Sequence, residues 1–259
     1  MGPLRLPAEA ALPLLIGMTG GFYGGLAAMT ALPFSQAQLT LMAVFMLMAH
    51  NLIQEGLIQA RSGLNPLKST VFRIIAALVT VYISARLMGA PPAESLAGGA
   101  VEVTGTGFGE MAAAWAGETA VLSLKILVIV VSLSVVMETV RSLGWTEAIL
   151  RPFGPVLFLL GLSRRTGLLW LTAALFGLVY GAALIVEEAG QGELSPEELE
   201  ELQLSIGLNH SMIEDSLIFI ALGCGLGWIL LPRLVVAALA VRLLRLGRLV
   251  WIRTVRSGP

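Results

Sequence analysis

A chain of 259 residues that is 56% hydrophobic and 13% charged, with a formal net charge of −1, excludes two broad classes. Soluble domains carry about 25% charged residues, so this chain has too little polar surface to cover a water-soluble core of its length. A near-neutral chain also offers no basic field to a nucleic acid polymer. The composition is that of an all-α integral membrane protein.

A spanning helix needs about 20 predominantly apolar residues, and about seven stretches meet that length. The first, 9–31, follows Arg5 and resembles a signal peptide, but its length makes it a retained helix. Its Gly20, Gly21, Gly24 and Gly25 form a small-residue face suited to close helix approach. The second, 37–60, closes at Arg61-Ser-Gly-Leu-Asn-Pro66, a turn signal. The third is 69–89. Residues 90–118, rich in Gly and Pro and carrying Glu94, Glu102, Glu110 and Glu118, read as an acidic loop with a short interfacial helix near Met111 to Trp115. A fourth span follows at 119–142, with Lys125 near its start. The stretch 145–163 holds Pro152 and Pro155 and is too short for an ordinary span, so it is expected to be interfacial or re-entrant. Spans five to seven are expected at 165–187, 202–222 and 228–250. The sixth is preceded by Ser195-Pro196-Glu197-Glu198, a helix start, and the seventh leads into Arg242, Arg245, Arg248, Arg253 and Arg256. Arginines there are explained by topology and by anionic lipid headgroups. Cys224 has no second cysteine to pair with and reads as structural.

Within this apolar background one nonapeptide occurs twice. His50-Asn-Leu-Ile-Gln-Glu-Gly-Leu-Ile58 recurs 160 residues later as His210-Ser-Met-Ile-Glu-Asp-Ser-Leu-Ile218, and these hold the only two histidines of the chain. Arg73 and Arg233 share the same offset, and Tyr23-Gly24 matches Tyr180-Gly181 three residues short of it. The chain therefore divides into a first three-helix repeat (1–89), the acidic loop (90–118), a linking helix with the re-entrant segment (119–163), and a second three-helix repeat with its Arg-rich tail (164–259). Lys and Arg flanking residues 61–68 and the tail favour a cytoplasmic side for both. That requires 145–163 to cross and makes the repeats inverted, the arrangement common in transporters, although Arg164 and Arg165 count against the crossing.

On a continuous helix, residues four apart share a face. His50 would stack on Gln54 and His210 on Glu214, with Asn51 and Glu55, and Ser211 and Asp215, forming the neighbouring stripe. A carboxylate at mid-bilayer costs about 2.5–3.5 kcal/mol on insertion scales and normally faces the bundle interior or a water-filled cavity. Three readings fit. The eight residues form a midplane site for a small polar solute or ion, with Arg73 and Arg233 as counter-charges. Alternatively the two motifs only pair the repeats in a non-transporting scaffold or assembly protein. In the third reading the two histidines with Glu55, Glu214 and Asp215 ligate a divalent ion, in a metal site or a metal-dependent intramembrane enzyme. No nucleophile with a base partner is present, so an enzyme is not expected. A bound cation is the one cofactor the motifs suggest. Lipid and a small solute are the expected partners, and a homo-oligomer is compatible with the sequence.

The second motif, together with Arg151-Pro-Phe-Gly-Pro155, Gly161-Leu-Ser163 and Tyr180-Gly181, resembles the nucleoside recognition, or Gate, domain family. That family includes the spore maturation proteins A and B. Related domains occur in the membrane part of ferrous-iron transporter B and in concentrative nucleoside transporters. The resemblance covers 121–240 well and 10–89 more faintly. It implies a multi-pass protein of the prokaryotic cytoplasmic (inner) membrane, of the transporter type.

Overall fold

The structure, a computed structural model, describes residues 1–91, 107–145, 148, 151–192 and 194–256. All regular elements among these are helical. Most of the expected loop, 92–106, lies outside the described residues. From Phe108 the chain is already helical, so Met111 to Trp115 belong to a long helix rather than to a separate interfacial one.

The first apolar run is not one straight span. It forms α1 (Ala11–Thr19) and α2 (Phe22–Thr30), folded against one another about Gly20 and Gly21. Gly21 takes φ 115°, open to glycine alone at low cost. Eight residues apart across this tip, Gly17 and Gly25 pack backbone to backbone: a methyl on Gly25 would sit 2.7 Å from the Gly17 Cα. Each nine-residue helix rises only about 13 Å, under half of a bilayer core of about 30 Å. The small-residue face thus joins two halves of a hairpin instead of two spans. The run expected as span five does the same. Its helices α8 (Arg164–Phe176) and α9 (Leu178–Gly190) turn at Gly177, φ 83°, and Gly181 packs on Ala173, again eight residues apart.

The two motif-bearing runs are also interrupted. The first comprises α3 (Gln36–Ala49) and α4 (Leu52–Arg61); the second comprises α10 (Pro196–Asn209) and α11 (Glu214–Ala221). Each begins with a capping box, Ser35 with Gln38 and Ser195 with Glu198, which satisfies two orphan backbone donors at each start. Thr40 to His50 and Glu201 to His210 are buried without exception; the first stretch is apolar on nearly every face, whereas the second also buries Glu201, Gln203, Ser205 and Asn209. Flanking these are α5 (Pro66–Leu87), capped by the Asn65 side chain, and α12 (Leu226–Arg256).

The broken helices run antiparallel. Gln36, at the start of α3, donates to the Leu222 carbonyl just past α11. Gln203, in the first half of α10, donates to the Ser62 hydroxyl just past α4. The two repeats therefore pack as inverted copies, each made of a hairpin, a broken helix and a long helix.

The remaining helices flank this core, with Leu160 fully buried in it and Ile126, Ile129 and Val130 packed against it. Helix α6 (Phe108–Ser142) is apolar all round, and none of its most apolar 18-residue stretch is buried in the chain, so bilayer hydrocarbon is its solvent. Lys125 lies near its middle, not its start. The 145–163 region yields a 3-10 turn at Arg151–Phe153 and α7 (Gly154–Leu160). The segment Arg151–Leu160 meets Arg165–Leu175 at 107°, a bend compatible with a broken span or a re-entrant loop. Among the described residues three helical segments, Gln36–Arg61, Pro66–Leu87 and Phe108–Val140, are long and apolar enough to cross a membrane, or four if that bent pair counts as one span.

Two of the C-terminal arginines, Arg245 and Arg248, have acidic partners. Arg245 donates to Glu201 at 3.0 and 2.7 Å, and Arg248 reaches both Glu201 (2.9 Å) and Glu200 (2.5 Å). Glu200 also pairs with Lys68. The expectation of lipid contact alone overlooked that these acids, on the first turns of α10, lie against α12.

Candidate functional site

Helix α3 ends because His50 is extended, with ψ 167°, and Asn51 takes left-handed values of φ 50° and ψ 32°. In the second copy His210 is extended, with ψ 159°, and Ser211 has φ 49°. Since the helices break at the histidines, His50 does not stack on Gln54, nor His210 on Glu214. The expected continuous polar face is absent; the motif is a joint.

Each joint leaves helix-end carbonyls without intrahelical partners, and the two arginines supply them. Arg73, on α5, donates from Nε to the Met48 carbonyl (2.9 Å) and from Nη2 to the His50 carbonyl (3.0 Å). Arg233, on α12, donates from Nε to the Leu208 carbonyl (2.9 Å) and from Nη2 to the His210 carbonyl (3.1 Å). These are the same atoms on equivalent residues in both halves. The arginines were expected to neutralise acids; they also cap broken helices, a role with no composition cue.

The acids differ. Arg73 Nη1 binds Glu55 Oε2 at 2.6 Å, with Nη2 3.3 Å from Oε1, in a pair 1% exposed on both sides. Asp215 is one methylene shorter and makes no such bond: its Oδ2 and the Arg233 Nη1 are both buried without hydrogen-bond partners. The second counter-charge pair is therefore near but not bonded.

The hairpin tips complete the centre. The Phe22 N–H, at the start of α2, donates to the Asn51 side-chain oxygen (3.1 Å), and the Asn51 N–H donates to the Gly17 carbonyl (3.0 Å). In the other half the Met212 N–H donates to the Ala174 carbonyl (2.8 Å). Tyr23 donates to Glu214 Oε1 (3.2 Å), tying the first hairpin to the second joint. These contacts make the joints sensitive in opposite ways. Replacing Ser211 with Gly should raise the apparent unfolding temperature in detergent, because a non-glycine residue in this region costs roughly 1–2 kcal/mol. Replacing Asn51 with Gly should lower it, because asparagine already adopts left-handed backbone at little cost and gains little from glycine, while the Phe22 N–H loses its acceptor, worth about 1 kcal/mol.

At the middle the histidines meet. Each donates its Nδ1–H to the carbonyl four residues back, Met46 (2.7 Å) and Ile206 (3.2 Å). Their Nε2 atoms lie 3.1 Å apart. Each acid faces the histidine of the opposite repeat: Glu55 Oε1 is 3.2 Å from His210 Nε2, and Asp215 Oδ2 is 3.6 Å from His50 Nε2. Beside them opens a cavity of about 400 Å³ whose lining includes Asn51, Gln54, Ser211 and Glu214 as well as both histidines and both acids. All eight expected site residues are thus brought to one place, while Arg73 and Arg233 stand behind the joints. Sequence reasoning missed Phe22 and Tyr23; the signal available was the pair of glycines preceding them.

The chain is 28% identical over 250 residues to the uncharacterized membrane protein YvoD of Bacillus subtilis, an alignment covering 92% of this chain and 77% of that protein. No family model matches the chain, and no solved structure matches it. With its apolar helices and this relative, the chain is an all-helical membrane protein.

Proposed function

We propose that the protein is a permease for a small polar solute or ion, seated where the two broken helices and two hairpin tips converge. One observation carries the reading: two antiparallel helices are interrupted at equivalent histidines, and both interruptions open on one polar cavity. Discontinuous helices from inverted repeats are where transporters place their substrate sites, near mid-membrane. Irregular backbone at that depth is tolerated only inside protein or along a water-filled cavity. The resemblance to the nucleoside recognition family agrees with this reading and supports a location in a prokaryotic inner membrane. The resemblance also makes nucleosides reasonable first probes.

A second reading keeps one observation on its side. The Arg73–Glu55 pair is directly bonded and 1% exposed on both sides, as a fixed internal brace would be, so a non-transporting scaffold is the alternative. Proteoliposome uptake separates the two. Radiolabelled uridine, adenosine and a divalent cation are offered in turn to native protein and to Asp215→Asn, which is isosteric and loses no hydrogen bond of Oδ2. Saturable uptake of one probe by the native protein, reduced at least tenfold in the variant, is the expected result. Uptake of every probe equal to that of empty liposomes would discard the permease in favour of the scaffold.

A further inference from the structure

We infer that the paired histidines, with Glu55 and Asp215, form a binding site for one divalent transition-metal ion of the zinc type. The argument starts from the tautomers. A carbonyl oxygen only accepts, so the contacts to Met46 and Ile206 place a hydrogen on Nδ1 of both rings. Both Nε2 lone pairs then point into the same space 3.1 Å apart. Such an arrangement is repulsive unless something positive lies between or beside them. An Nδ1–H donated to a backbone carbonyl is also the usual outer support of a metal-ligating histidine, because it holds the ring and raises its basicity.

The spacing chooses the ion. Zinc takes nitrogen and oxygen ligands at about 2.0–2.2 Å in a tetrahedron, which sets ligand atoms about 3.3–3.6 Å apart. Three donors match that spacing: the two Nε2 atoms are 3.1 Å apart, Glu55 Oε1 is 3.2 and 3.8 Å from His210 and His50, and the three side chains form one cluster of ligand atoms within 4.8 Å. Asp215 Oδ2 approaches this cluster from the His50 side at 3.6 Å. Asp215 Oδ2 provides an independent pointer. Its residue is only 6% exposed and the oxygen has no hydrogen-bond partner, a costly state for a buried acceptor, and ligation would satisfy it. Glu55 divides its work, giving Oε2 to the 2.6 Å bond from Arg73 and turning Oε1, which keeps only a longer 3.3 Å contact to Nη2, toward the histidines. A proton shared between the rings would relieve one contact and leave Asp215 Oδ2 as it is; a metal held by the two rings and Glu55 also gives Asp215 Oδ2 a partner, reached by closing in from the His50 side. Two imidazole nitrogens favour zinc, cobalt or iron(II) over magnesium or calcium, which prefer all-oxygen shells.

This deepens the permease reading, on which it rests only in taking the adjoining cavity as the way in. Metal-free native protein in detergent, titrated with Co²⁺, should take up one equivalent per chain and develop the visible absorption of four-coordinate cobalt, with Zn²⁺ displacing it. His50→Ala/His210→Ala should abolish the signal, and Asp215→Asn should weaken binding at least tenfold. Should those variants fail to fold, zinc X-ray absorption on the native protein decides independently, expecting imidazole scattering around nitrogen and oxygen at about 2.0 Å. Native protein that binds no Co²⁺, that binds it equally after loss of both histidines, or that shows no imidazole scattering overturns the inference. Uridine uptake without metal binding would remove the metal site alone; metal binding without uptake of any probe would remove the permease and keep the site.

Discussion

Replacing Arg73 with Ala should be among the most damaging single changes in this protein. The guanidinium is 1% exposed and makes four contacts: two carbonyls at the end of α3 and both oxygens of Glu55. Removing it leaves a buried carboxylate without its counter-charge, which costs about 3–5 kcal/mol. It also leaves helix-end carbonyls unsatisfied, at about 1–3 kcal/mol for each group so stranded. The expected readout is loss of the monodisperse peak on size exclusion after extraction, or a large fall in apparent unfolding temperature. Arg73→Lys should not rescue it, because one ammonium cannot span two carbonyls and a carboxylate. Arg233→Ala should be milder, since Arg233 has two carbonyl bonds and no bonded acid. Equal losses in the two alanine variants would show that the carbonyl bonds, not the ion pair, carry the effect.

The second large effect is expected at Gly181. A Cβ there would stand 2.5 Å from the Cα of Ala173 and 3.1 Å from its nitrogen. Both neighbours are backbone, so no side chain can swing away. Overpacking in a well-packed interior costs roughly 1–3 kcal/mol, and at Gly181→Val the upper end or beyond is expected because the hairpin must open to make room. Gly25→Val should behave alike, with Gly17 as the obstructing backbone. Gly190 closes the same α9 and has nothing within 4 Å of its Cβ position, so Gly190→Ala should be neutral or slightly stabilising. Thermal unfolding of the three variants in detergent checks the ranking; a Gly181→Val protein as stable as Gly190→Ala would show that the hairpin does not pack as described.

Much of the fold was readable from residues, for physical reasons that can be named. The duplication was legible because polar residues in an apolar helix are few enough to act as markers. The same 160-residue offset also relates Ser35 with Gln38 to Ser195 with Glu198, a match that comparing cap signatures would have found. Two features were not legible. The breaks at Asn51 and Ser211 carry neither glycine nor proline; they exist because arginines from other helices take over the freed carbonyls, a tertiary cause. The folded-back hairpins were hidden because hydropathy measures length and apolarity, and a run of about 23 apolar residues scores alike whether it crosses or doubles back. Gly21 and Gly177 held the hint, since both tips need positive φ there, but only Gly17 against Gly25 and Gly181 against Ala173 show that the chain returns. The tight Glu55 pair and the slack Asp215 one differ by a single methylene, which no pattern argument resolves.

The arginine-capped joints have a consequence for how any guest is received. An unwound helix end ordinarily waits for water or ligand to satisfy its carbonyls, so its shape is set only on arrival. Here Met48, His50, Leu208 and His210 are already satisfied from within. The chamber beside the histidines is therefore standing before it is entered, and straightening either helix would mean giving up two arginine bonds. An arriving guest does not have to order the backbone, and more of its contact energy remains as affinity.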